Sequence, residues 1–181
     1  DVKTGWTAGS GGLILKTTDG GANWMNQISG TSDPLQSIQF ADYSTGWAIG
    51  QYTTILKTTN GGINWISLPL GSFDLLSSAC FIDNLTGWLV GETGLIDKTT
   101  NGGTNWIRQS VGVHNTLYSF DFPNGNTGWA VGAGPEILKT TNGGSNWIHQ
   151  QNGAINTLYS VHFEDSYTGW AVGGNYGSQC T

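Results

Sequence analysis

The chain has 181 residues, six basic and twelve acidic side chains, a formal net charge of −6, and only 10% charged residues. Six cations, only one of them an arginine (Arg108), exclude a phosphate-neutralising nucleic-acid face and a polybasic membrane patch. Nine Trp and 29 Gly against 4 Pro argue against disorder and for short strands joined by glycine turns. No apolar run approaches the roughly 20 residues that a membrane-spanning helix needs. The opening Asp1-Val2-Lys3-Thr4-Gly5-Trp6 carries no apolar leader, so the chain is expected to be mature, trimmed or cut from something longer.

Taken in chain order, the first landmark is Thr-Gly-Trp ending at Trp6, which returns at Trp47, Trp88, Trp129 and Trp170, 41 positions apart each time. Next comes Lys-Thr-Thr, beginning at Lys16, Lys57, Lys98 and Lys139. Asn-Trp pairs follow, ending at Trp24, Trp65, Trp106 and Trp147, and then a Phe at Phe40, Phe81, Phe122 and Phe163. An internal period of this kind decides the architecture before any single element does. The fourth unit shows the strands most clearly: 117–122 (LYSFDF), 128–132 (GWAVG), 137–141 (ILKTT) and 146–150 (NWIHQ). Four short strands in about 41 residues is the size of a propeller blade. The spacing predicts one all-β array, a β-propeller of four-stranded antiparallel blades. Its repeats cover about 1–41, 42–82, 83–123 and 124–164, with a partial unit at 165–181.

Propeller packing accounts for the tryptophans. Burying one indole removes ~150–250 Å² from water, which at ~25 cal/mol per Å² is roughly 4–6 kcal/mol before conformational entropy. A lone blade has nothing to bury it against, so the repeats must stack. The Trp residues are read as packing groups and not as sugar platforms. The four repeat lysines are expected to lay their stems over neighbouring aromatic surface.

Between the third and fourth strands the chain reads TTDGGANW at 17–24, then TTNGGINW, TTNGGTNW and TTNGGSNW. These lines resemble the Asp-box (BNR) repeat, Ser/Thr-x-Asp-x-Gly-x-Thr-Trp. Thr17, Asp19, Gly21 and Trp24 match it, and Asn23 replaces the family's Thr. Asn60, Asn101 and Asn142 replace the aspartate in the other copies. Asn keeps the hydrogen-bond acceptor and loses the charge, so the four positions are read as turn clamps rather than metal ligands or catalytic carboxylates. The whole unit resembles the photosystem II assembly and stability factor-like propellers, and similar units recur in secreted bacterial repeat proteins. The resemblance implies the fold. It also implies an arginine-rich partner face that this chain lacks, so the photosystem role is not expected to carry over.

Seventeen strands are foreseen, one more than a closed four-bladed ring uses. In the closed reading, Leu158–Phe163 supplies the first strand of a mixed blade completed by residues 1–28, and 168–172 is surplus. In the other, the chain is a stretch of a six- to eight-bladed ring; the surplus strand favours it.

Function should sit where residues vary on the fixed frame. The position before each repeating Phe reads Gln39, Cys80, Asp121 and His162, placed at one height along the central channel. This row is read as polar channel lining, and a transition-metal site is the sharper alternative. The loops between strands two and three vary too, and Tyr52, Glu92, Glu136 and Tyr176 are their candidate binding residues. Asp97 stands where Leu15, Leu56 and Leu138 stand in other units, with Lys98 or Arg108 as possible partners. Cys80 and Cys180 are able to pair at most once.

Catalytic readings fare poorly. A sialidase site needs an arginine cluster, and one Arg excludes it. A glycoside hydrolase needs two carboxylates about 5–9.5 Å apart. Yet Asp1, Asp42, Asp83 and Asp165 share one turn phase and read as local caps, and Asp33 and Asp74 share another. His114, His149 and His162 sit at unrelated phases, which leaves no special base. The expectation is a non-catalytic, extracytoplasmic interaction module without cofactor or metal, which binds a protein partner or itself. A glycan-binding propeller, or a fragment of an Asp-box glycoside hydrolase, is the alternative.

Overall fold

The structure is a computed structural model that describes residues 3–70, 75–153 and 156–174. The expectations for Asp1, Asp74, Tyr176 and a Cys80–Cys180 pair therefore fall at least partly outside the described residues.

Glycine-bounded, β-branched segments fold into seventeen strands among the described residues. The first sheet holds β1 (Gly5–Ala8), β2 (Ile14–Thr17) and β3 (Met25–Gln27). Three complete antiparallel blades follow. The second sheet is β4 (Leu35–Phe40), β5 (Gly46–Gly50), β6 (Ile55–Thr58) and β7 (Ile66–Ser67). The third is β8 (Leu76–Phe81), β9 (Gly87–Gly91), β10 (Ile96–Thr99) and β11 (Ile107–Arg108). The fourth is β12 (Leu117–Asp121), β13 (Gly128–Gly132), β14 (Ile137–Thr140) and β15 (Ile148–His149). The last sheet has only β16 (Leu158–Phe163) and β17 (Gly169–Gly173). The fourth strand of each full blade spans two residues, shorter than the 146–150 expected.

The mixed blade of the closed four-bladed reading does not form. β16 pairs with β17, and β1 pairs with β2. β17 reaches its partner through a short turn and occupies the edge that β1 would need. A local hairpin also closes a far smaller loop than a pairing across the whole chain. The array stays open.

The blades are joined by one repeated aromatic joint. Four of the five Thr-Gly-Trp indoles lie flat on the Phe of the next sheet: Trp6 on Phe40, Trp47 on Phe81, Trp88 on Phe122 and Trp129 on Phe163. Their ring centroids are 3.6, 3.6, 3.8 and 3.5 Å apart. The Asp-box indoles Trp65, Trp106 and Trp147 meet the same Phe rings edge-on. Each lysine sits over its own blade's indole, Nζ 4.9–5.2 Å from the ring centre. Lys16, Lys57 and Lys98 then donate across the joint to the carbonyls of Gly61, Gly102 and Gly143 in the following turn. The stems cover aromatic surface as expected. The cross-blade hydrogen bond is what the spacing did not reveal.

At the joints the indoles are sealed: Trp47, Trp88 and Trp129 are 1%, 0% and 5% exposed. In the last sheet the same position opens to solvent, with Trp170 at 58%, and in the first sheet the Asp-box indole Trp24 is 44% exposed. Burial follows from having a neighbour.

The Asp-box turns are clamps of one design. Thr17, Thr58, Thr99 and Thr140 each donate Oγ1–H to the side chain two residues on, Asp19, Asn60, Asn101 and Asn142. The glycine amides of Gly21, Gly62, Gly103 and Gly144 donate to the same threonine oxygens. These four glycines have φ between 87° and 91°, which an L side chain adopts only with strain. The caps also form: Asp42, Asp83 and Asp165 each accept two backbone N–H groups, and Asn124 does so in their place in the fourth blade.

The one charged clamp differs in acid. Donation from the Asn23 backbone, then from the Asn23 side chain and Thr17, holds the Asp19 carboxyl at about 2, below its ordinary 3.8. A lowered folded-state value stabilises above the unfolded value and is lost as pH falls through the folded one. Asp19 therefore contributes fully above pH ~4 and loses its contribution toward pH ~2. Asp19→Asn should remove that part of the acid dependence, as thermal melts of both proteins at the two ends of this window will show. Equal acid sensitivity in the two proteins would count against the clamp.

Candidate functional site: the channel mouth

The inner strands β4, β8, β12 and β16 neighbour one another in order and wall the channel. In each, the ladder skips one residue just after the leading Leu. Leu35 pairs with Gly50 but Ser37 with Ile49, and the same slip occurs after Leu76, Leu117 and Leu158. The extra residues are Gln36, Ser77, Tyr118 and Tyr159, one per blade at a spacing of 41. A bulge leaves its residue out of the ladder and re-aims its side chain. Here all four turn into one concavity of about 440 Å³, lined also by Gln51, Leu75, Leu76, Glu92 and Thr116.

The rim is fixed by close backbone contact. Gln51 N–H donates to the Pro34 carbonyl and Glu92 N–H to that of Leu75, each at 3.0 Å. The preceding glycines make room: a Cβ on Gly50 would lie 2.4 Å from Pro34 O, and one on Gly91 2.1 Å from Leu75 O. Glu92 opens a short 3-10 turn, Glu92–Gly94, whose Thr93 sits at φ 55°. Tyr118 and Tyr159 lean together with ring centroids 5.3 Å apart, tilted 41°. Among the lining residues, Glu92 is the only ionisable group besides the two phenols. A larger hollow of about 580 Å³ beside the first sheet has no ionisable side chain in its lining.

The row expected to line the channel serves a different purpose. Gln39 clasps the next inner strand with both amide atoms, donating to Phe81 O and accepting from Phe81 N–H. Asp121 accepts from Phe163 N–H at 2.6 Å and stands 3.2 Å from His162 Nδ1. Burial, and after it the charge of Asp121, pushes the Cys80 thiol up to about 11, far from a reactive thiolate. No group of three or more His, Cys, Asp or Glu suited to a metal occurs among the described residues. These side chains stitch blade to blade.

The loop candidates divide. Glu92 is at the mouth, and Tyr52, 70% exposed at φ 57°, stands on the adjoining loop. Glu136 does not stay on the loop surface. It is 5% exposed, with Oε1 3.0 Å from His149 Nε2 and Oε2 accepting from Asn115. A buried carboxylate needs such partners. Asp97 resolves the same way, 4% exposed and bonded at 2.5 Å by Arg108, its cross-strand neighbour. The row of Gln36, Ser77, Tyr118 and Tyr159 escaped the sequence reading. Its signal was a variable residue after an unvarying Leu, in LQ, LS, LY and LY.

Stacked four-stranded blades, Asp-box clamps and a walled channel define an Asp-box β-propeller. The profile of the photosynthesis system II assembly factor YCF48 family matches residues 1–73 and 72–154, and the chain belongs to that family. Two solved structures of such factors are similar. One, described as YCF48 bound to D1 peptide, has a TM-score of 0.77 at 21% identity over 96% of this chain and 58% of that one. The other, YCF48 from Cyanidioschyzon merolae, has 0.71 at 21% identity over 88% and 56%. This chain thus spans little more than half the length of either. The GH74 enzyme of Niastella koreensis shares the fold, with a TM-score of 0.77 at 16% identity over 89% of this chain and 32% of that one. No curated protein sequence matches.

Proposed function

We propose that this chain is a non-catalytic protein-binding module that works outside the cytoplasm and holds a segment of a partner protein at the channel mouth. The observation that carries the reading is the bulge row. Four blades each withdraw one side chain from the ladder and turn it into the same concavity. A bulge re-aims the side chain it leaves out of the ladder, and here it does so at the same position of four successive inner strands. A relative's propeller solved with a bound peptide supports a peptide as the ligand class. A single carboxylate at the mouth, Glu92, supports a binding rather than a hydrolytic role. The extracytoplasmic placement rests on the likeness of the repeat to those of secreted proteins.

A random-peptide display library panned against the whole chain tests this. Selected peptides should bind the protein and lose affinity by roughly tenfold, about 1.4 kcal/mol, on Tyr118→Ala. Selection of no peptide, or binding indifferent to Tyr118→Ala, overturns the reading. Saturable sugar binding that is lost in the same variant would instead favour a glycan on the tyrosine pair, a second reading that two aromatic rings at the mouth allow.

A further inference from the structure

We propose that the mouth selects a cationic segment, with a lysine or arginine side chain of the partner seated between Glu92 and the tyrosine pair. This rests on the reading of the mouth as a peptide site and adds the chemistry of what it admits.

The first support is where the chain keeps its own positive charge. Lys16, Lys57 and Lys98 are held between blades by an indole face and a glycine carbonyl. Lys139 lies over Trp129. Arg108 is bonded to the buried Asp97. Lys3 stands beside the first Asp-box turn, where Gly20 N–H donates to its carbonyl. In an antiparallel blade that turn and the loop after the second strand lie at opposite ends, so Lys3 is across the sheet from the mouth. All six cations are accounted for away from the mouth. An acidic ligand would find no counter-charge there.

The second support is what the mouth offers. Glu92 is exposed, so its side chain stays hydrated until a ligand arrives. Tyr118 and Tyr159 line the same concavity as Glu92, Tyr159 at 38% exposure, and supply aromatic surface there. Gln36, Gln51, Ser77 and Thr116 complete the lining with neutral donors and acceptors suited to a peptide backbone. A cation on an aromatic face with a carboxylate near is favourable by the ring quadrupole and by Coulomb attraction together, each strengthened as the ligand excludes water. The net charge of −6 points the same way, attracting basic segments over distance.

The test uses the same display library on the whole chain and on three variants, with melting curves confirming that each is folded. Peptides selected on the native chain should be enriched in Lys and Arg. Their affinity should drop roughly tenfold on Glu92→Gln, and fall similarly when the peptide lysines are acetylated. Glu92→Lys should turn the selected peptides acidic. Peptides that depend on Tyr118 yet are neutral or acidic, or that ignore Glu92→Gln, overturn the cation proposal and leave the mouth standing. Peptides indifferent to Tyr118→Ala, or none at all, overturn both.

Discussion

Trp88→Ala is expected to cost about 3–5 kcal/mol and to break the cooperativity of the array. The indole is 0% exposed and stacks on Phe122 at 3.8 Å, and Lys98 lies over it while reaching to Gly143 O at 2.7 Å. Removing it empties the joint between the third and fourth blades, and the neighbours on both sides are rigid strands that cannot collapse to fill it. In a stacked array, stability is the sum of unit terms and nearest-neighbour joints. Loss of one joint should therefore uncouple the blades before it from those after it. Calorimetry should show one transition become two, the first lower by roughly 10 °C. Trp170→Ala is the control, because that ring is 58% exposed at the outer sheet and should change stability little. A single unshifted transition in Trp88→Ala would refute the joint.

Gly91→Ala should destabilise by about 3 kcal/mol, the upper end of what overpacking costs, and should weaken ligand binding beyond what the melt predicts. The added methyl would meet Leu75 O at 2.1 Å and Leu76 Cα at 3.2 Å, both backbone, so no side chain is able to swing aside. Gly91 is extended, φ −174°, and the cost is therefore collision rather than dihedral strain. Relief requires moving the strand entry at Leu75, which also anchors Glu92 N–H. The rim shifts with it. Gly153→Ala, with nothing within 4 Å of the new carbon, should be within about 0.5 kcal/mol of the native chain. Thermal melts and peptide titrations of both variants decide the matter, and a native-like Gly91→Ala would remove the steric account of the rim.

Much of this was legible because it is local. The Asp-box clamp needs only a threonine, an acceptor two residues on and a glycine amide four residues on, all within one turn, so the letters carry it. The caps at Asp42, Asp83 and Asp165 are likewise local. The Lys-over-Trp pairs follow from register, since Trp47 stands opposite Lys57 across one hairpin.

The candidate site was legible only in part, for a geometrical reason. Strict alternation assigns facing by counting twos, and a bulge resets the count after one residue. Variation at the position before each repeating Phe singles out Gln39, Cys80, Asp121 and His162, whereas the bulge that brings Gln36, Ser77, Tyr118 and Tyr159 to the mouth has no periodic signature of its own. Glu92 was found because it lies in a variable loop. Glu136 looked the same in sequence, yet His149 and Asn115, distant along the chain, draw it inward.

By itself the sequence determined the repeat, the blade, the stacking indoles and the turn chemistry, because each rests on contacts a fixed number of residues apart. Only the tertiary structure decided that β16 keeps its own hairpin, which side chains stitch neighbouring blades, and which four meet at the channel mouth. Those outcomes depend on which strand edges are already taken and on how backbone from separate blades converges, and neither is encoded by periodicity.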